Sequence, residues 1–140
     1  MKIRIFLLIL VLIGVSCKKN RNHPVPSIAF DFTIDLTLPT YQYLNSVGGW
    51  AYVSGGIKGI IVYRQSTDVF VAWERMSPED PDNVCAKGLT ADSANFLILI
   101  DPCSNARFSM YDGSPISNSS WGLRKYQTLW NGGNALRIYN

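Results

Sequence analysis

Beyond residue 31, clusters of glycine, proline and asparagine cut this chain into short pieces, and that punctuation decides what it can fold into. Ile34-Asp35-Leu36-Thr37-Leu38 alternates apolar with polar and stops at Pro39. Trp50-Ala51-Tyr52-Val53 runs into Ser54-Gly55-Gly56. Gly59-Ile60-Ile61-Val62-Tyr63-Arg64 is β-branched, Gln65-Ser66-Thr67-Asp68 is polar, and Val69-Phe70-Val71-Ala72-Trp73 resumes the apolar run. That is a hairpin signal. Phe96-Leu97-Ile98-Leu99-Ile100 reads as a buried strand ending at Asp101-Pro102. Residues 123–130 and 135–139 form a second hairpin across Asn131-Gly132-Gly133-Asn134. No segment carries a long 3.6-residue periodicity. The expectation is an all-β domain of small antiparallel sheets, with Trp50 and Trp73 in strand cores. Two irregular stretches remain, 75–95 and 102–122. Loops of that length in a compact domain are where function concentrates.

The first thirty residues read differently. Lys2 and Arg4 precede an apolar run over residues 5–15. At a 1.5 Å helical rise such a run spans roughly half of a ~30 Å hydrocarbon core, so it is a signal-peptide core and not a membrane span. It ends in Gly14-Val15-Ser16-Cys17, which resembles a bacterial lipobox with Gly14 where leucine is usual. The resemblance implies a signal peptide over 1–16, cleavage before Cys17 and lipidation of Cys17. Several acyl chains, at about 0.8 kcal/mol per buried CH₂, make a durable membrane anchor. The polar, basic, proline-punctuated stretch 17–30 then reads as a tether to a single domain over 31–140.

Charge and cysteine content limit the chemistry. Losing Lys2 and Arg4 with the leader leaves 11 basic against 10 acidic residues, a net charge of +1. Such a near-neutral surface argues against a nucleic-acid partner, which needs a phosphate-neutralising patch. There are three cysteines, Cys17, Cys85 and Cys103, and one histidine, His23. In an oxidising compartment, with Cys17 lipidated, Cys85 and Cys103 are either a disulfide or two buried thiols. No nucleophile elbow, phosphate-cradling loop or His-rich cluster is present, and the paired glycines read as turns.

Within the two irregular stretches lies a family resemblance. Asp101-Pro102-Cys103-Ser104-Asn105-Ala106-Arg107-Phe108, followed by Tyr111-Asp112-Gly113-Ser114-Pro115, resembles the second cluster-binding loop of Rieske proteins. That loop reads Cys-Pro-Cys-His-Gly-Ser-x-Phe and then Asp-Gly-x-Pro. Glu74-Arg75-Met76-Ser77-Pro78-Glu79 resembles the first loop, (Asp/Glu)-Arg-x-Cys-Pro-His, and Leu123-Arg124-Lys125-Tyr126 with Leu136-Arg137-Ile138 resembles the closing hairpin. The likeness is strongest to Rieske-type lipoproteins of Gram-negative bacteria. It implies small stacked antiparallel sheets with a cluster-binding lobe over 75–121, and electron transfer through a [2Fe-2S] centre.

The ligand positions depart from that pattern. The first loop's cysteine and histidine fall on Ser77 and Glu79, and the second loop's on Asp101 and Ser104. Cys103 falls on the second loop's other cysteine, which in many Rieske proteins is disulfide-bonded to a cysteine after the first loop, and Cys85 suits that partner. The family's Gly-Pro-Ala cap is replaced by Asn118-Ser119-Ser120, also an Asn-x-Ser sequon, and beside it Trp121 is the tryptophan expected to be exposed. A Rieske centre needs two thiolates and two imidazoles. One histidine and two cysteines beyond Cys17 cannot supply them. The expectation is a cell-envelope lipoprotein with a Rieske-like domain lacking the cluster, a non-catalytic binding or assembly component with membrane and protein partners. Electron transfer and small-ligand or glycan binding are the alternatives. Ser77, Glu79, Asp101 and Ser104 should cluster at a solvated tip, where their oxygens could alternatively hold Ca²⁺ or Mg²⁺.

Overall fold

A computed structural model describes residues 22–140. The leader and Cys17 lie outside the described residues. Ten strands run in chain order: β1 Asp31–Asp35, β2 Trp50–Val53, β3 Ile60–Arg64, β4 Phe70–Glu74, β5 Thr90–Ala91, β6 Ile98–Ile100, β7 Arg107–Ser109, β8 Pro115–Ser117, β9 Lys125–Trp130 and β10 Ala135–Tyr139. They make two antiparallel sheets. The larger has the order β1-β10-β9-β4-β3-β2, and the smaller β5-β6-β7-β8. The smaller sheet and its loops are inserted between β4 and β9, which pair directly through Ala72–Tyr126 and Trp73–Lys125. This is the all-β arrangement of small stacked sheets, with a separate lobe, that the sequence leads one to expect.

The hairpin β3–β4 joins the two layers. All five positions of each strand are buried. Because side chains alternate across a strand, each strand serves two cores. Ile60, Val62, Phe70 and Ala72 face Leu44, Tyr126, Leu136 and Ile138. Ile61, Tyr63, Val71 and Trp73 face Leu89, Leu99, Phe108 and Met110 of the lobe. The β-branched run of β3 is the pattern of a strand buried on both faces.

Three expectations need correcting. The first strand runs Asp31–Asp35 and does not extend to Leu38. Asp35 accepts from the Thr37 amide (2.9 Å) and hydroxyl (2.7 Å), a local turn that ends the strand. A 3₁₀ helix, Pro39–Asn45, follows, with Pro39 at the first position where a missing N–H costs nothing. Second, residues 96–100 are not uniformly buried. Leu99 is enclosed, whereas Phe96 and Leu97 are 59% and 49% exposed. The small sheet packs on the hairpin with one face only. Third, the tether reading of 17–30 does not hold from His23 onward. Val25 is fully buried, and its carbonyl accepts from Arg124 Nε (2.7 Å). Its amide donates to His23 Nδ1 (3.1 Å), and His23 Nε2 lies 3.0 Å from the Gly122 carbonyl. Residues 23–30 are a strap along the domain.

Candidate functional site

The two loops that carry the family resemblance meet at one end of the lobe. The first leaves β4 through Met76, Ser77 and Pro78, all buried. The second is the turn between β6 and β7. There the Asp101 amide donates to the Ala106 carbonyl and the Asn105 amide to the Asp101 carbonyl, each at 2.9 Å. Asn105 takes φ 58°, a left-handed conformation that asparagine tolerates. Cys85 and Cys103 are disulfide-bonded, with Cα atoms 6.1 Å apart, and close the lobe across 18 residues. Of the two alternatives left by the sequence, the disulfide is the one observed.

The four positions that the resemblance aligns with cluster ligands, Ser77, Glu79, Asp101 and Ser104, are brought together, but only partly as a tip. Asp101 is 1% exposed and Ser77 5% exposed. Asp101 Oδ1 accepts from the Cys103 amide (2.9 Å) and Oδ2 from the Ser104 hydroxyl (2.6 Å). The Ser77 hydroxyl and the Ser104 amide lie near enough to this carboxylate to lower its pKa. The expectation of solvated polar residues is therefore wrong for Ser77 and Asp101, and right only for the exposed Glu79 and Ser104. The reason is that the carboxylate organises its own turn from inside. Burial pushes the Asp101 pKa up, and the Ser104 and Ser77 hydroxyls with the Cys103 and Ser104 amides pull it down further, leaving it below the ordinary carboxylate value. Ser77 Oγ accepts from the Glu79 amide and Ser104 Oγ from the Ala106 amide, both at 3.2 Å.

These residues do not fit the group the family implies. Cys85 Sγ, Cys103 Sγ and an Asp101 oxygen lie within 4.8 Å of one another, but both sulfurs are committed to the disulfide and neither is a thiolate ligand. No imidazole reaches the loops, since His23 sits against Gly122. Serine and carboxylate oxygens are hard donors and poor replacements for the thiolates and imidazoles of an iron–sulfur cluster. A hard cation fares little better, because the Cys103 amide and the Ser104 hydroxyl already occupy the two Asp101 oxygens. Glu79 is left as a carboxylate on the rim of a shallow cavity of about 370 Å³, lined also by Asp80, Val84 and Cys103.

Lys58 fastens this end of the lobe to the larger sheet. Its Nζ pairs with Asp80 Oδ2 at 3.1 Å and donates to the Cys85 carbonyl. Asp80 also accepts from the Val84 amide (2.8 Å) and the Cys85 amide (3.0 Å). Desolvation acts against the ionised Asp80, and these amides with Lys58 more than offset it, so its pKa is lowered.

Sequence reasoning missed a second buried carboxylate. Glu74, the residue before Arg75, has no exposed surface. Its Oε2 accepts from the Ile57 amide (2.7 Å) and the Tyr126 hydroxyl (2.6 Å). Its Oε1 accepts from the Lys58 amide (2.9 Å) and the Met76 amide (2.8 Å). Gly56, at φ 64°, lies directly over it. A Cβ there would stand 2.3 Å from Glu74 Oε2. Only glycine fits that close approach in that conformation. The signal in the sequence was an acidic residue ending an otherwise apolar strand opposite a Gly-Gly turn.

The tryptophans divide as follows. Trp73 is in the core and donates to the Met110 carbonyl (2.8 Å). Trp50 is only half-buried, a correction to its reading as core. It lines an aromatic groove of about 600 Å³ with Tyr43, Tyr52 and Phe96, beside the edge strand β2. Trp121 is half-buried too, edge-on to His23 at 5.8 Å between centroids. Asn118 is exposed at φ 59° and donates to the Asn105 carbonyl (3.2 Å).

No family model and no curated protein matches this sequence. Among solved structures, the chain is similar to a protein described as an NADH-dependent nitrite reductase small subunit from Mycobacterium tuberculosis. That match has 14% identity and a TM-score of 0.47, and it covers 81% of this chain and 97% of that one. Another similar structure is described as the small subunit of an NADPH nitrite reductase. It has 11% identity and a TM-score of 0.42, covering 78% and 97% of the two chains.

Proposed function

We propose that this chain is a cell-envelope lipoprotein, anchored through Cys17, whose Rieske-like domain serves as a non-catalytic binding or assembly component without an iron–sulfur cluster. The observation that carries the reading is the state of Asp101. At the position where a cluster ligand is expected stands a carboxylate with 1% exposure, one oxygen already bonded by the Cys103 amide and the other by the Ser104 hydroxyl. A side chain spent in this way is a structural element. It is not an open donor waiting for a metal. The disulfide takes both cysteines of the lobe, so the two loops are held by a covalent tie in place of a shared metal. The lobe then presents a fixed surface, and its retained framework has a use only if something docks on it or near it.

The experiment is purification of the full chain from an iron-replete Gram-negative host, with visible absorbance, iron and acid-labile sulfide measured on the product. The expected outcome is a colourless protein with neither element. A brown protein with iron and sulfide near two per chain overturns the reading. Intact mass spectrometry of the membrane fraction tests the anchor. The mature N-terminus should be acylated Cys17, and Cys17→Ala should move the protein out of that fraction.

A further inference from the structure

The loop between β2 and β3 and the first residue after β4 enclose a polar concavity that the former cluster site does not involve. Tyr52, Ser54, Gly55, Gly56, Gly59 and Arg75 line it, with a volume of about 490 Å³. Arg75 is held on several sides. Its guanidinium lies 4.1 Å over the Tyr52 ring, and its Nε donates to the Leu89 carbonyl at 2.8 Å. Its amide donates to the Gly59 carbonyl (2.9 Å), and its carbonyl accepts from the Leu89 amide (2.7 Å). Its terminal nitrogens donate to no protein acceptor among the described residues, and no carboxylate comes within ion-pair distance. The residues outside the description contain no aspartate or glutamate to supply one.

The remaining charges near this pocket are already matched. Lys58 pairs with Asp80, and Glu74 accepts its four hydrogen bonds on the inner side of the loop. Ile57 and Lys58 turn their amides inward to Glu74, whereas the amides of Gly55 and Gly56 donate to no protein group among the described residues. Free backbone N–H groups in a turn and an immobilised guanidinium are the two elements with which proteins receive oxyanions. Arg75 has lost its rotamer freedom on folding, so a ligand need not order it.

We propose that this pocket is a binding site for a small molecule presenting a phosphate or phosphate-like oxyanion. The oxyanion is received by the terminal nitrogens of Arg75, with the free amides of the Gly55-Gly56 turn beside it. The remainder of the ligand would lie along Tyr52 and Ser54, since the pocket is larger than one phosphate. The source of the oxyanion is a free phosphate compound or a phospholipid headgroup, and the two are separable.

The test is a titration of the ¹⁵N-labelled protein with sodium phosphate at constant ionic strength, and in parallel with dihexanoyl-phosphatidate below its micelle concentration. Arg75→Met would also remove the Leu89 and Tyr52 contacts, so the primary variant is Ser54→Glu, on the exposed rim of the loop, which places a carboxylate beside the guanidinium. The expected result is a saturable displacement of the Gly55, Gly56 and Arg75 Nε–H resonances, with at least tenfold weaker binding in Ser54→Glu and an unchanged Tm. Tenfold tighter binding of the phosphatidate than of phosphate assigns a lipid headgroup, and equal binding assigns a free oxyanion. Absence of saturation at 50 mM phosphate overturns the proposal. So do shifts spread evenly over basic residues, or shifts unchanged in Ser54→Glu.

Discussion

The molecule contains two buried carboxylates, Glu74 with four hydrogen-bond donors and Asp101 with two, and they do opposite work. Glu74 gathers groups far apart in sequence: the β2–β3 turn at residues 57 and 58, the Tyr126 hydroxyl on β9, and the Met76 amide at the start of the lobe. Asp101 gathers only its own turn, through the Cys103 amide and the Ser104 hydroxyl. The first fixes how the sheet, the loop and the lobe meet. The second shapes one end of one lobe, where the disulfide already restricts the chain. Equal burial thus does not mean equal weight. What counts is the number of separate chain segments that depend on the group.

The sharpest way to break this contrast is Glu74→Ala. It leaves two loop amides, the Met76 amide and the Tyr126 hydroxyl without their acceptor in a dry interior. At roughly 1–3 kcal/mol for each unsatisfied group, partly relieved by water, the loss should be about 4 kcal/mol or more in urea unfolding. A loss below 1 kcal/mol would show that the segments meet without it. Next is the double variant Cys85→Ser/Cys103→Ser. The bridge spans 18 residues, and opening it should cost about 3 kcal/mol. Hydrogen exchange should quicken in 75–121 while β3, β4 and β9 keep their protection. A uniform acceleration would mean that the lobe and sheet open as one unit.

Gly113→Ala comes third. Gly113 takes φ 73°, and a Cβ would stand 2.6 Å from the Trp73 ring. The expected cost is about 2 kcal/mol with a shift in tryptophan emission, as the lobe is pushed off the hairpin. The smallest effects concern pH, and they set Asp101 and Tyr126 apart by sign. The Asp101 pKa is lowered on folding, so its contribution is complete above the unfolded value, about 3.9, and is lost as pH falls through the folded one. Asp101→Asn should cost about 1 kcal/mol at neutral pH and flatten the acid limb. Burial and then the Glu74 hydrogen bond raise the Tyr126 pKa. Its contribution is complete below about 10 and is lost as pH rises above that value. Tyr126→Phe should flatten the alkaline limb alone. Stability curves from pH 2 to 12 test both, and an unchanged limb in either variant removes that residue from the account.

The strand hairpins were legible because β-branched runs and glycine turns act locally. Gly59 to Trp73 and the turn at 131–134 declare themselves within a few residues. The end of the first strand was not legible, because the Asp35–Thr37 turn competes with the alternation of the same residues. The strap was misread because its composition is that of a linker. Only contact with Gly122 and Arg124, about a hundred residues away, holds Val25 in place. At the candidate site, residue types alone left a disulfide or two buried thiols as the alternatives, and they showed too few cysteines and histidines for a Cys₂His₂ set. That Asp101 and Ser77 are interior was not readable, since burial of an acid depends on donors that only the fold brings to it. The pocket at Arg75 shows the same limit. Gly55 and Gly56 read as a turn, and what the turn encloses depends on strands it does not contain.

The pairing of β1 with β10 extends past the strands, where the Asn140 amide donates to the Phe30 carbonyl at 3.1 Å. The chain therefore returns to the start of β1, and residues 30 and 140 are neighbours on one rim. This means that a label or fusion placed after Asn140 emerges beside the strap, so it reports on, and can obstruct, whatever approaches the domain from that side.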